Sequence, residues 1–84
     1  MSKKFIEVFA HFDTDGKVIP VIFLWDDGKS YQIDRVLDMR RSASLKAGGL
    51  GMRYTCRIIG KNRYLYYDDY SGKWFVEIPD NHKT

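Results

Sequence analysis

Turn-forming residues interrupt this chain at short, nearly even intervals, and that spacing leaves room for strands and little else. Asp13-Thr14-Asp15-Gly16, Asp26-Asp27-Gly28-Lys29, Gly60-Lys61-Asn62 and the segment 68–72 each carry glycine with aspartate or asparagine. These residues tolerate tight backbone geometry or bond their own backbone. Between the turns lie runs rich in aromatic and β-branched residues, largely alternating, as a half-buried strand requires. The runs are 4–12, 17–25, 30–39, 52–59, 63–67 and 74–78. The Asp27-Gly28 pair is a strong hairpin signal. Pro20 has no N–H to donate and is expected at an edge or a bulge. Val36 breaks the alternation of Tyr31, Ile33, Arg35, Leu37 and Met39, so a bulge or strand end is expected near 35–37.

Six short strands in succession predict an all-β fold, an antiparallel meander closing into a small barrel or rolled sheet. The best candidate for helix is 34–46. Ser42 and Ser44 are weak helix formers and Gly48-Gly49 would end it, which leaves room for one short helical turn near 40–46. The stretch 42–51 is expected to be irregular. Residues 1–79 are read as a single domain and 80–84 as a polar tail.

Eighty-four residues bury only a modest core. Cys56 is the only cysteine, so no internal disulfide can form, and it stands far in sequence from His11 and His82, unlike the short spacings of zinc sites. Stability must come from apolar burial, which a 15% aromatic content can supply. An unpaired cysteine fits a reducing compartment. Glu7 and His11 interrupt what would be the apolar region of a signal peptide. The apolar run 18–25 is strand-length, well short of the roughly 20 residues of a membrane helix. The expectation is a cytoplasmic protein.

A net charge of +3 conceals an uneven distribution. Residues 39–67 carry seven basic side chains (Arg40, Arg41, Lys46, Arg53, Arg57, Lys61, Arg63) and no carboxylate. Unless folding brings acids against it, such a stretch creates a field of one sign. One reading is an anion-binding surface: Gly48, Gly49 and Gly51 allow close backbone approach, and Arg40, Arg41, Lys46 and Arg53 flank them. Arg53 and Arg57 share a strand parity, and Tyr54, Tyr64 and Tyr66 offer rings for base stacking. Other readings use the same residues without a ligand. Basic side chains discourage edge-to-edge association, and Asp34, Asp38, Asp68 and Asp69 are available to neutralise arginines across strands.

No arrangement for catalysis or cofactor binding emerges. Asp13-Thr14-Asp15-Gly16-Lys17 is similar to the middle of an EF-hand loop, but His11 and Ile22 stand where its first and last acidic ligands belong. Gly48-Gly49-Leu50-Gly51 lacks the Lys-Ser/Thr of a P-loop. Cys56 alternates with Tyr54 and Ile58, as a buried structural thiol does. Asp26-Asp27 and Asp68-Asp69 occupy turn positions, and Trp25 and Trp74 are expected to pack in the core or at a barrel mouth.

One resemblance adds to this reading. The residues Val21-Ile22-Phe23-Leu24-Trp25, Asp27-Gly28, Tyr31 and Ile33-Asp34-Arg35-Val36-Leu37-Asp38, followed by Arg53-Tyr54, Arg57, Tyr64-Leu65 and Trp74-Phe75-Val76-Glu77, resemble a small Firmicute-type bacterial family of unassigned function. The resemblance covers 20–78. The same order of motifs is similar to a domain of unknown function found beside translesion-type DNA polymerases, which implies a role near DNA. No catalytic residues come with either. The sequence thus points to a non-enzymatic binding module for nucleic acid or another polyanion. The alternative is a protein-interaction module or a homodimer formed through a strand edge.

Overall fold

The computed structural model describes residues 2–44 and 49–79, as seven strands: β1 (Ser2–Phe12), β2 (Val18–Leu24), β3 (Ser30–Gln32), β4 (Arg35–Ser44), β5 (Gly49–Ile58), β6 (Lys61–Asp68) and β7 (Lys73–Ile78). They form one sheet in the order β3-β2-β1-β7-β6-β5-β4, with every pair antiparallel. The sheet curls into a half-barrel, so the all-β, rolled-sheet expectation holds.

The curl has a covalent cause. β3 and β4 are the two edges of the sheet, yet only Ile33 and Asp34 separate them in the chain. Flat, the edges would stand about 29 Å apart, at about 4.8 Å per strand spacing. Three Cα steps between Gln32 and Arg35 reach at most about 11 Å. The sheet must bend until its edges meet at that point. The link is stitched on both sides: the Ile33 amide donates to the Val21 carbonyl on β2, and the Asp34 amide to the Arg57 carbonyl on β5, each at 2.9 Å.

Two sequence expectations need correction. The strands number seven, because the run 30–39 breaks at Ile33-Asp34, where the chain crosses between sheet edges. The short helical turn near 40–46 is replaced by strand as far as Ser44, and most of the supposedly irregular 42–51 is ladder. Arg41 pairs with Met52, Ser42 with Gly51 and Ser44 with Gly49, which uses the backbone groups a helical turn would need. Residues 45–48 and 80–84 lie outside the described residues.

Other local expectations hold. The register of β4 slips between Val36 and Asp38, leaving Leu37 as the extra residue. Pro20 sits beside a second slip, where Phe9 faces Ile22 but Ala10 faces Pro20, and β3 pairs only with residues 22–24 of β2. The missing N–H of Pro20 therefore costs no ladder bond to β3. The first two turns share one construction. Gly16 donates to the Asp13 carbonyl and Asp13 to that of Lys17, just as Gly28 donates to Trp25 and Trp25 to Lys29. Both glycines adopt φ 82°, as a type I turn with a following left-handed residue requires. The Asp13 carboxylate caps this turn by accepting from the Asp15 and Lys17 amides.

The inner face of the half-barrel is the core. Tyr54, Cys56 and Ile58 of β5, Leu65 of β6, Trp74 of β7, Phe23 of β2 and Ile33 are buried together. Tyr54 and Tyr67 both pack on Trp74, with ring centroids 5.2 and 4.8 Å away. Trp25 packs at the margin of this cluster. Among the described residues no helix is long and apolar enough to cross a membrane.

Candidate nucleic-acid interface

Because β5 alternates, the residues between its core side chains must point the other way. Met52, Tyr54, Cys56 and Ile58 face inward, which turns Arg53, Thr55 and Arg57 to the outer face. The register then builds a continuous row across five strands. Arg40 on β4 faces Arg53 on β5, Arg53 faces Tyr66 on β6, Tyr66 faces Phe75 on β7, and Phe75 faces Phe5 on β1. Directly opposed residues share a face and lie about 5 Å apart at Cβ. Basic residues occupy one end of this row and aromatic rings the other.

The rings form a layered cluster. Tyr66 and Phe75 stack nearly parallel, centroids 5.0 Å apart and planes 8° apart, and both are buried. Phe5 meets Phe75 edge-on at 6.1 Å. Cations lie over the cluster: the Lys3 ammonium is 5.0 Å from the Phe75 centroid, Lys73 is 5.5 Å from Phe5, and the Arg53 guanidinium is 4.5 Å above Tyr64. Three rings of this layer remain in contact with solvent, Phe5 at 54% exposure, Phe9 at 55% and Tyr64 at 49%. Beyond Ile6, β1 has no β7 partner. A groove of about 520 Å³ opens there, lined by Phe5, Phe9, Phe12, Tyr67, Lys73 and Trp74 among others.

The residues singled out from the sequence separate under this geometry. Arg40, Arg53, Tyr64 and Tyr66 come together on the outer face. Tyr66 is only 4% exposed, and its hydroxyl donates to Glu77 Oε1 at 3.2 Å, so it serves as a floor for the outer rings. Burial first, then the nearby Glu77 carboxylate, push its phenol pKa up. Tyr54 belongs to the core: it is 1% exposed and donates its hydroxyl to the Val18 carbonyl, so its ring is closed to an incoming base. Desolvation, reinforced by Tyr67, raises its pKa to about 12. Arg57 is exposed at the far end of the same face and donates to Asn62 Oδ1 at 3.0 Å.

Arg41 stands on the opposite parity to Arg40 and reaches Asp69 at 2.6 Å. Arg40 is itself held by Asp38 at 2.8 Å, and its guanidinium keeps the Asp38 carboxyl below the usual range. Two of the acids named as neutralising partners thus do take up arginines. Gly49 opens β5 opposite Ser44, a ladder position in place of the expected anion nest. Lys46 and Gly48 lie outside the described residues.

Arg53 differs from its neighbours. Its Nε–H is out of solvent and donates to no partner among the described residues, a costly state for a cationic donor. Sequence reasoning missed Lys3, Phe5, Lys73 and Phe75. Each lies on the Lys-x-Phe parity of an end strand, and only the pairing of β1 with β7 brings them beside Arg53 and Tyr66.

Elsewhere, Cys56 is fully buried and desolvation pushes its thiol up to about 12. Among the described residues no three His, Cys, Asp or Glu side chains gather as a metal site. No protein-family model matches the chain, and neither a curated protein nor a solved structure is significantly similar to it.

Proposed function

We propose that the outer face is a binding surface for single-stranded nucleic acid. The observation that carries this reading is the outer face built on the five-strand row from Arg40 to Phe5, where the exposed rings of Phe5 and Tyr64 lie beside the cations Lys3, Lys73 and Arg53. Bases would stack on Phe5, Phe9 and Tyr64, while Arg53, Lys3 and Lys73 meet phosphates. Such a surface suits a single strand, because duplex DNA hides the π-faces that aromatic side chains bind. The Arg53 guanidinium, held over the Tyr64 ring at 4.5 Å, sets a cation beside a stacking ring and supports the reading.

The test is a fluorescence-anisotropy titration with labelled single- and double-stranded oligonucleotides at two salt concentrations. Single strands should bind more tightly, and affinity should fall steeply with salt as counterions are released. Absence of binding at low salt removes the proposal. A second reading rests on β4, a ten-residue strand at one edge of the sheet among the described residues. A second copy pairing along it would give a dimer, which sedimentation equilibrium detects. The Leu37 bulge and the arginines on β4 are features that discourage such pairing, which places this reading second.

A further inference from the structure

Two arginines oppose each other where the ladder of β4 and β5 begins. Arg35 is the register partner of Arg57, so the two side chains leave the same face about 5 Å apart at Cβ, and like charges so placed weaken the ladder. Alternation asks only for polar residues at these exposed positions. Arg57 is held in place by its register partner on β6, Asn62, whose Oδ1 accepts one guanidinium N–H. Both arginines line a cleft of about 500 Å³ together with Asp34, Leu37 and Gly60. Asp34 is fixed at the margin by the hydrogen bond that its backbone N–H donates to the Arg57 carbonyl. Its carboxylate takes no part in the ion pairs of Lys4 with Asp26, Arg40 with Asp38 or Arg41 with Asp69.

We infer that the Arg35–Arg57 cleft is a phosphoryl-binding site, selective for the dianion of a phosphomonoester over a phosphodiester. Two guanidinium groups leave one face, Arg57 with one N–H already given to Asn62. Their remaining N–H groups suit phosphate oxygens and attract a charge near −2 more strongly than a single charge. A diester, with one negative charge, gains less from the same two cations. The Asp34 carboxylate repels either anion and so lowers the affinity that the arginines set. The cleft is larger than one phosphate needs, so the group that bears the phosphoryl also fits. Arg57 lies four residues along β5 from Arg53, about 13 Å at strand spacing, and the inference stands without the nucleic-acid reading of the aromatic face.

The probe is inorganic phosphate, titrated into the full chain and followed by the arginine Nε–H and backbone amide resonances. Saturable shifts confined to Arg35, Arg57, Asp34 and Gly60 are expected. Affinity should fall as pH is lowered through the second ionisation of phosphate, where the dianion gives way to the monoanion. The double variant Arg35→Gln/Arg57→Gln should bind at least tenfold more weakly, and Asp34→Asn several-fold more tightly. Linear shifts spread over all basic residues, or unchanged binding in the double variant, would overturn the inference. If the double variant does not fold, as its thermal melt shows, Asp34→Asn decides: unchanged affinity overturns the site. Oligonucleotides with and without a 5′-phosphate distinguish the source. A preference for the phosphorylated strand identifies a strand terminus, and equal binding alongside saturable phosphate binding identifies a free phosphorylated ligand.

Discussion

The phenol of Tyr54 on β5 reaches across the interior of the half-barrel and hydrogen-bonds the backbone carbonyl of Val18 on β2. These strands are four places apart in the sheet, so the bond spans the curl. Val18 begins β2, and its carbonyl would otherwise face an apolar core. Removing the hydroxyl with Tyr54→Phe keeps the ring and its packing on Trp74 and leaves that acceptor unsatisfied. The expected loss is about 1–2 kcal/mol, measured by urea unfolding.

The same residue sets an alkaline limit on stability. Tyr54 and Cys56 are neutral when protonated, and burial raises both folded pKa values to about 12, from ordinary values of 10.0 and 9.0. The unfolded chain therefore ionises first. Their contribution is fully present below pH 9 and is lost as pH rises from there toward 12. Denaturation midpoints measured from pH 8 to 11 should fall, and Cys56→Ala should reduce the slope. Over the same range, Cys56 should react with a disulfide probe only after unfolding.

Gly51 is required by the approach of β6. A Cβ at this position would stand 2.1 Å from the Tyr67 carbonyl oxygen, and backbone on a paired strand cannot give way cheaply. Gly51→Ala should cost about 3 kcal/mol. The loss should appear as a lowered midpoint in thermal unfolding.

Ile59 is the converse case. With Gly60 it forms the two-residue turn between β5 and β6, with φ of 50° and 70°, and the side chain is 70% exposed. A β-branched residue in the left-handed region is strained by about 1 kcal/mol or more. Ile59→Asn creates the Asn-Gly pair that this turn favours. It should raise the stability by about 1 kcal/mol, read from the urea midpoint at constant slope.

Phe5 and Tyr64 test the proposed binding face from its two ends. Alanine at either should weaken single-strand affinity by about 1–3 kcal/mol while leaving the salt dependence intact, because no phosphate contact is removed. Arg53→Gln should instead lower the salt slope by about one unit. Anisotropy titrations of the three variants at several salt concentrations separate these effects.

Much of this was legible in the chain because turn chemistry is local. Asp-Gly at 27–28, the aspartate ahead of Gly16 and the misplaced Val36 each marked a turn or bulge that the structure contains. The parity of β5 also contained a fact that the stacking role given to Tyr54 overlooked: a residue between Arg53 and Thr55 cannot share their face. What was hidden depended on distant pairing. Residues 40–44 lack apolar alternation, and only the partner residues on β5 make them strand. Phe5 and Phe75 looked like ordinary strand aromatics, and nothing local shows that they meet.

The division of β1 between two partners has a kinetic consequence. Its residues 7–12 pair with β2 in a hairpin, whereas residues 2–6 pair with β7, so that Ser2 meets Ile78. Every other neighbouring pair in the sheet is also adjacent in the chain, and such hairpins close in microseconds. The β1–β7 seam must close a loop of nearly the whole chain, with the highest entropic penalty of any pairing. It should therefore join last, and the Lys3, Phe5 and Phe75 cluster should come into existence only in the final step of folding.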